Sequence, residues 1–301
     1  MKSAVVIAYV TLIGTATAFV VPQARDTSSN STTIDDTSLL NYVLTLKNLE
    51  NAFYAGALNS FTQDDFVNDS LPTWSRARFE QIAEHQQAHV DLLSYAIGSG
   101  SAQACNYTFP YTSPSSFAAL AEVISGVCVS AFVGAAQYIT SSDYLTTAAA
   151  ILSTEARHAA WIAGPVNHQN AWSGSFDTPL SLDAAYTLAS QYISGCPSSN
   201  PTLPVTALSP LTIANASLGQ ASTVSAANNV TVEGQYVAFL SGLTPTFVQV
   251  VGGQVVVPAT IMGTSYAVLT SSNTSVDDST VTAGVALIQS PYNSNGVLEV
   301  V

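Results

Sequence analysis

The spacing of apolar residues changes once along this chain, and this change constrains the fold more than any other feature. From about residue 37, apolar residues recur every three or four positions, as on one face of an α-helix. Beyond Pro197, Val, Thr and aromatic residues alternate with polar ones, as they do in β-strands. Pro201, Pro204 and Pro210 predict a stiff linker between the two patterns. The 301-residue chain is therefore predicted to be a multidomain α + β protein.

The first pattern predicts four long helices and a short fifth one. Their expected ranges are 38–60, 72–98, 115–140, 143–163 and 182–194. The first helix is expected to be capped by Asp36 or Thr37. The connector 99–114 could extend over about 50 Å, whereas a 25-residue helix is roughly 37 Å long. We therefore predict a long crossover that makes the third helix parallel to the second.

The second pattern predicts a small all-β, sandwich-like domain. Segments 247–251 and 254–257 flank Gly252 and Gly253, a pair that favours a two-residue β-hairpin. Further strands are expected over 236–240, 266–270 and 281–288.

Each of three predicted helices carries polar groups in the middle of its apolar face. These are Glu50 in the first helix, Gln86 and His89 in the second, and Glu155 and His158 in the fourth. A buried carboxylate is unfavourable unless it is paired or binds a metal. The polar groups are therefore predicted to meet at one place in the core. Glu155 and His158 also form a Glu-x-x-His motif, which supplies metal ligands in di-metal helical bundles.

These segments resemble a ferritin-like family that includes fungal stress-response proteins and plant desiccation-related proteins. The similar segments are 49–54, 82–93, 129–136, 151–159, 176–180 and 258–270. The resemblance implies a ferritin-like four-helix bundle over 37–200 and a β-rich domain over 201–301, as in fungal members. It also implies a di-metal site between the helices.

Two positions depart from the family pattern of ligands. Gln86 stands where a Glu is expected, and Ser125 replaces the Glu of the third helix. The remaining inward set is Glu50, His89, Glu155 and His158, which could hold a single Mn, Fe or Zn ion. Three readings stay open: a polar network without metal, a single-metal site and a working di-metal centre. The vacated positions argue against a di-iron centre.

Three functions follow from these alternatives. The first is a secreted ferritin-like protein of the stress or desiccation type, structural or binding rather than catalytic. The second is a metal-dependent oxidase or peroxide-handling enzyme that uses the residual site. The third is a structural glycoprotein of the cell wall or matrix, with wall polysaccharide or other wall proteins as partners.

The N-terminus predicts export. Residues 1–18 combine Lys2, an apolar run and a small-x-small cleavage site, as in a signal peptide, with a membrane anchor as the alternative. Residues 19–36 are predicted to be a disordered linker, and no transmembrane segment is expected after cleavage. Only 8% of residues are charged, and the net charge of -13 excludes nucleic acid as a partner. Six glycosylation sequons also favour an extracellular location, with cell-wall association as one form of it: Asn30, Asn68, Asn106, Asn215, Asn229 and Asn273.

The chain has three cysteines, for which an oxidising compartment predicts one disulfide. Cys105 and Cys196 each follow a predicted helix within a polar, turn-rich stretch, and we expect them to pair. Cys128 lies in an apolar run and is expected to be a buried free thiol. The alternative is that all three cysteines are free.

Overall fold

The computed structural model describes residues 34–293 and 295–297. The predicted signal peptide, most of the predicted linker and Asn30 lie outside this range. The described helices are α1 (Asp36–Ser60), α2 (Gln63–Asn68), α3 (Ser75–Ile97), α4 (Pro114–Ala135), α5 (Ser142–Trp161) and α6 (Leu182–Ser190). A π-helical segment, Ile162–Val166, continues α5.

The first helix begins earlier than predicted. Asp35 caps it, because its carboxylate accepts a hydrogen bond from Ser38 N at 2.7 Å. Asp36 is inside the helix and binds Thr140 and Ser141, at the start of α5. The predicted linker is therefore wrong at its last residue, since Asp36 belongs to the helical part.

A short helix and a two-stranded sheet were not predicted. Thr62 and Asp65 form a capping box that nucleates α2 in the connector after α1. The predicted fifth helix ends at Ser190 rather than 194, because Ile193–Gly195 leaves the helix and forms strand β2. This strand pairs with β1 (Asn106–Tyr107) in a two-stranded sheet.

The contacts of α1 give the directions of its neighbours. They are Lys47–Gln86 and Tyr54–Phe79 with α3, and Lys47–Phe132 and Tyr54–Phe117 with α4. In both comparisons the residue numbers fall along the neighbour as they rise along α1. Both neighbours are therefore antiparallel to α1 and run in the same direction as each other, as the long connector predicts.

Helix α4 with its 3₁₀ extension, Pro114–Tyr138, is long and apolar enough to cross a membrane by length and composition. Within the protein, however, 67% of its apolar window is buried against other elements. Core helices share this composition, so the property follows from the central position of α4.

Two sheets form the C-terminal part. Strands β3 (Leu211–Ala214), β4 (Ala221–Ala226) and β7 (Gln254–Val256) form one antiparallel sheet in that order. The other has the order β6 (Thr246–Gln249), β5 (Tyr236–Leu240), β8 (Gly263–Thr270) and β9 (Val281–Ser290). Side chains of both sheets share one apolar core. The sequence patterns did not predict β3 and β4.

The predicted hairpin is correct at its turn but wrong in its strands. Gly252 and Gly253 adopt positive φ values, and an isolated bridge joins Val251 to Gln254. Beyond this bridge the two strands diverge into different sheets, because β6 pairs with β5 whereas β7 pairs with β4. The turn therefore connects the two sheets.

Candidate functional site

A lysine occupies the centre of the helical part. Lys47 is fully buried, and its Nζ lies 2.6 Å from Glu50 Oε2 and 2.6 Å from Glu155 Oε1. The same Nζ donates to Gln86 Oε1 at 3.3 Å and lies 5.2 Å from the centre of the Phe132 ring. One ammonium group thus joins α1 to α3 and α5.

The carboxylates keep this lysine charged. Burial opposes the charge, but the neighbouring carboxylates of Glu155 and Glu50 raise the pKa of Lys47 well above its ordinary value. Burial also raises the pKa of the Cys128 thiol well above its ordinary value. At neutral pH the thiol is therefore neutral, and the carboxylates supply the negative charge that balances Lys47.

The two carboxyl groups differ in their protonation. Burial raises the pKa of Glu50 to about 7, an effect that Lys47 only partly offsets. Burial would also raise the pKa of Glu155, but Lys47 and the close approach of His158 and His89 hold it well below its ordinary value. Glu155 is thus the ionised partner of Lys47, whereas Glu50 is partly protonated near neutral pH.

Glu155 connects the remaining predicted residues. Gln86 Nε2 donates to both of its oxygens at 3.1 Å. His89 Nδ1 lies 3.0 Å from Glu155 Oε1, and His158 Nδ1 lies 3.5 Å from Glu155 Oε2. The structure therefore brings both histidines to Glu155.

A third histidine extends this side of the site. His85, one turn before His89, is exposed and stacks on His158 with ring centres 5.1 Å apart. Their nitrogens, His85 Nδ1 and His158 Nε2, are 2.9 Å apart. Burial and the neighbouring His158 lower the pKa of His85. The imidazoles thus lead from the buried ion pair towards the surface.

Ser125 does not reach this network of carboxylates. Its hydroxyl bonds to Tyr54 OH at 2.9 Å, and both residues are fully buried. The position that the resemblance assigns to a Glu is therefore filled by a neutral hydroxyl pair between α1 and α4.

Cys128 completes a group with metal-binding chemistry. Within the described residues, ligand atoms of Glu50, Cys128 and Glu155 lie within 4.8 Å of one another, and all three residues are buried. This group is compatible with one divalent metal, whose identity it leaves open. None of the three histidines His85, His89 and His158 belongs to this group.

The residues fit a two-metal centre poorly. Lys47 Nζ is 2.6 Å from both carboxylates of the group, so a metal ion bound there would meet a fixed positive charge. Gln86 and Ser125 also lack the negative charge that two divalent ions require. The ammonium and any metal would compete for the same oxygens.

Sequence reasoning missed Lys47. Beyond Lys2 it is the chain's only lysine, and it precedes Glu50 by three residues within an apolar stretch. An i, i+3 pair of this kind usually lies on a helix surface. Its position inside an otherwise apolar face was the feature that could have revealed it.

The predicted disulfide and the predicted free cysteine are confirmed. Cys105 and Cys196 form a disulfide, and Cys128 is a buried free thiol. The bonded cysteines adjoin Asn106 and Gly195, which face each other in the β1–β2 sheet. The sequons within the described range are exposed: Asn68, Asn106, Asn215, Asn229 and Asn273.

Comparison with known proteins supports the helical assignment. Residues 35–168 match the family model of the ferritin-like domain. The match spans α1 to α5 and includes every candidate metal ligand. No curated protein matches the chain. Residues 35–168 are thus similar to a ferritin-like domain, and a β-sheet region follows the helices.

Proposed function

We propose that this chain is a ferritin-like protein with a structural or binding role, in which a lysine ammonium replaces the metal cation. The observation that carries the proposal is the position of Lys47 Nζ, 2.6 Å from both Glu50 and Glu155. In a ferritin-like bundle, carboxylates from facing helices surround positively charged metal ions. Here a side chain of the protein supplies positive charge at the same place.

The network also removes the chemistry that metals would bring. An ammonium group has no redox states and no open coordination position for oxygen or peroxide. Gln86 Nε2 donates to both oxygens of Glu155, so one acceptor site on each oxygen is already in use. We therefore infer that the four long helices form a bundle whose centre stabilises the fold rather than catalyses a reaction.

The metal content of the protein tests this proposal. Purified chain would be incubated with Mn²⁺, Fe²⁺ or Zn²⁺, dialysed and analysed by mass spectrometry of the metals. We expect no stoichiometric metal in the natural protein. In Lys47→Met the ammonium is removed while the length of the side chain is kept, so metal uptake should appear.

A second comparison separates the ammonium from the missing ligands. The double variant Gln86→Glu with Ser125→Glu restores the carboxylates but keeps Lys47. If the ammonium is the obstacle, this variant should bind less metal than Lys47→Met. Two metals per chain in the natural protein would contradict the proposal.

A single-metal protein is the second candidate. The cluster of Glu50, Cys128 and Glu155 favours it, because a carboxylate–thiolate set suits one divalent ion. One equivalent of tightly held metal in the natural protein, lost in Cys128→Ser, would establish this candidate. An oxidase or peroxidase activity would then be the next property to measure.

The cellular setting that we propose is extracellular, with a stress or desiccation role. The disulfide is compatible with an oxidising compartment, and exposed sequons are accessible to glycosylation. Cell-wall association and domain boundaries near residues 36 and 200 belong to the same proposal. Secretion predicts a mature N-terminus at residue 19, which N-terminal sequencing of culture-medium protein would test.

A further inference from the structure

A cleft lies where the helical part meets the larger β-sheet. It has a volume of about 240 Å³ and lies between α4, α5, residues 170–178 and β8. We call it the junction cleft; its lining includes Glu122, Gly126, Ser130, Trp172, Asp177 and Tyr266. None of the groups around Lys47 lines it, so it is separate from the candidate metal site.

The floor of the junction cleft is built from small residues. Gly126 lies in the middle of α4, and Ala156, Ala159, Ala160 and Ala163 line the facing side. A Cβ added at Gly126 would have no heavy atom within 4 Å. Packing therefore does not require glycine there, although glycine weakens a helix. The open space above Gly126 is available to a ligand.

An exposed tryptophan forms one wall. Trp172 lines the cleft and is 68% exposed, which is unusual for so large an apolar ring. Its segment is fixed on both sides. The Asn170 side chain exchanges two hydrogen bonds with the Tyr292 backbone, and Ser173 Oγ accepts one from Thr264 N at 2.8 Å. The segment that carries the ring is thus held in place beside the cleft.

A pair of buried hydroxyls in the lining has an unused donor. Ser130 Oγ and Tyr266 OH are 3.1 Å apart, and both residues are more than nine-tenths buried. Two O–H groups are present, yet their mutual bond uses one hydrogen, and neither hydroxyl has another partner in the described part of the chain. Burial raises the pKa of Tyr266 to about 12, so its proton stays in place.

The acidic groups of the cleft add hydrogen-bond acceptors. Glu122 Oε2 accepts from Asn167 Nδ2 at 2.7 Å, and burial raises the pKa of Glu122. Asp177 is exposed on the opposite segment. No lysine or arginine is among the residues that line the cleft, which disfavours anionic ligands. Burial favours the protonated form of Glu122 and Asn167 already occupies one of its oxygens, so Asp177 is the one freely exposed carboxylate that the lining offers to a cation.

We propose that the junction cleft binds a neutral saccharide, with a sugar ring stacked on Trp172 and its hydroxyls bonded to Asp177, Glu122 and the Ser130–Tyr266 pair. The apolar face of a pyranose matches an indole ring, and its hydroxyls donate readily to carboxylates. Because the residues of the cleft floor are small, the sugar ring can approach α4 closely. The inference is independent of the Lys47 centre, so either proposal can fail without the other.

Calorimetric titration of the full-length protein tests this inference. The probes are neutral trisaccharides of β-1,4-glucose, β-1,3-glucose, β-1,4-N-acetylglucosamine and α-mannose, with a galacturonic acid trimer and a glucosamine trimer for comparison. We expect at least one neutral trisaccharide to bind. Failure of all four, or binding of a charged trimer alone, would overturn the inference.

Two variants locate the binding site. Trp172→Ala should weaken binding by about tenfold or more, because the ring supplies most of the apolar contact. Tyr95→Ala is the matched control, since Tyr95 is an aromatic residue that is 87% exposed and does not line the cleft. Equal affinities in Trp172→Ala and the natural protein would place the ligand elsewhere and refute the assignment.

The second variant fills the floor. Gly126→Leu should abolish binding while circular dichroism shows an unchanged helix content, because leucine favours helices and the added atoms enter open space. Ala150→Leu, at an exposed position of α5, controls for an added leucine. Undiminished binding in a folded Gly126→Leu protein would contradict the proposed position of the sugar.

Discussion

Replacing Lys47 by Met removes one charge and nearly preserves the shape of the side chain. In the natural protein the ammonium contacts Glu50 and Glu155, and neither carboxyl has appreciable contact with solvent. Without it, Glu155 must remain as a buried unpaired charge or take up a proton. Removal of one member of a buried ion pair generally destabilises by about 3–5 kcal/mol.

The loss of stability is set by the cost of keeping Glu155 protonated in the folded variant. In the unfolded chain Glu155 has its ordinary pKa of 4.5. Holding it protonated at pH 7 therefore costs about 3.4 kcal/mol, at about 1.36 kcal/mol for each pH unit. At pH 5 the same cost is only about 0.7 kcal/mol. We thus expect Lys47→Met to lose about 3 kcal/mol at pH 7 and about 1 kcal/mol at pH 5.

The direction of the pH effect follows from linkage. In the variant, the pKa of folded Glu155 rises above its unfolded value, so the stability that this group contributes is present at low pH and is lost as pH rises. In the natural protein the pKa of Glu155 is lowered, so its contribution is lost only as pH falls below 4.5. Burial already raises the pKa of Glu50 in the natural protein, and loss of Lys47 should raise it further, which acts in the same direction as the change at Glu155. The difference between the two proteins should therefore shrink between pH 7 and pH 5.

Urea unfolding followed by far-ultraviolet circular dichroism measures this difference. Lys47→Met combined with Glu155→Gln should recover most of the loss, because the glutamine leaves no charge to bury. Arg157→Met is the matched control, since it removes an exposed positive charge and should change stability by less than about 0.5 kcal/mol. A Lys47→Met protein within about 1 kcal/mol of the natural one at pH 7 would refute the charge argument.

Three further predictions concern other parts of the fold. Replacing Cys105 and Cys196 by Ser should lower the free energy of unfolding by about 4–5 kcal/mol, because the bond closes a sequence separation of 91 residues; denaturant titration of oxidised protein and the double variant measures it. Gly134→Ala should destabilise the protein by about 3 kcal/mol or more, since its Cβ would lie 1.7 Å from Leu180 O. Gly126→Ala, whose Cβ enters open space, should stabilise it slightly, and thermal unfolding of both variants measures the difference. Glycosidase treatment with peptide mass spectrometry should find glycan on Asn68, and a secreted protein with all exposed sequons unmodified would contradict export through a glycosylating pathway.

The sequence predicted those features that local chemistry determines. The long helices and the Cys105–Cys196 disulfide follow from periodicity and compartment chemistry. The Gly252–Gly253 turn was also predicted, but the separation of its two strands was not. Strand β7 pairs with β4, which lies 31 to 35 residues earlier and has a weak sequence pattern. Strand partners depend on the whole sheet, and a two-residue turn does not determine them.

Lys47 shows why the centre of the site was only partly predictable. Glu50, Gln86 and Glu155 were predicted on inward faces because polar groups within apolar stripes are unusual. A lysine three residues from a glutamate is common at helix surfaces, so the same argument gave it no weight. It is buried only because α3 and α5 both cover that turn of α1, which is a tertiary property.

The replacement of a metal by a lysine would change how the core depends on its surroundings. A metal-bound core is stable only while metal is supplied, because the ion contributes stability according to its concentration and affinity. An ammonium on the same chain cannot dissociate, so the charge of Glu155 is balanced from the moment the helices pack. This arrangement would keep the helical part folded without bound metal, and in the proposed role the surface, including the junction cleft, would supply the binding function.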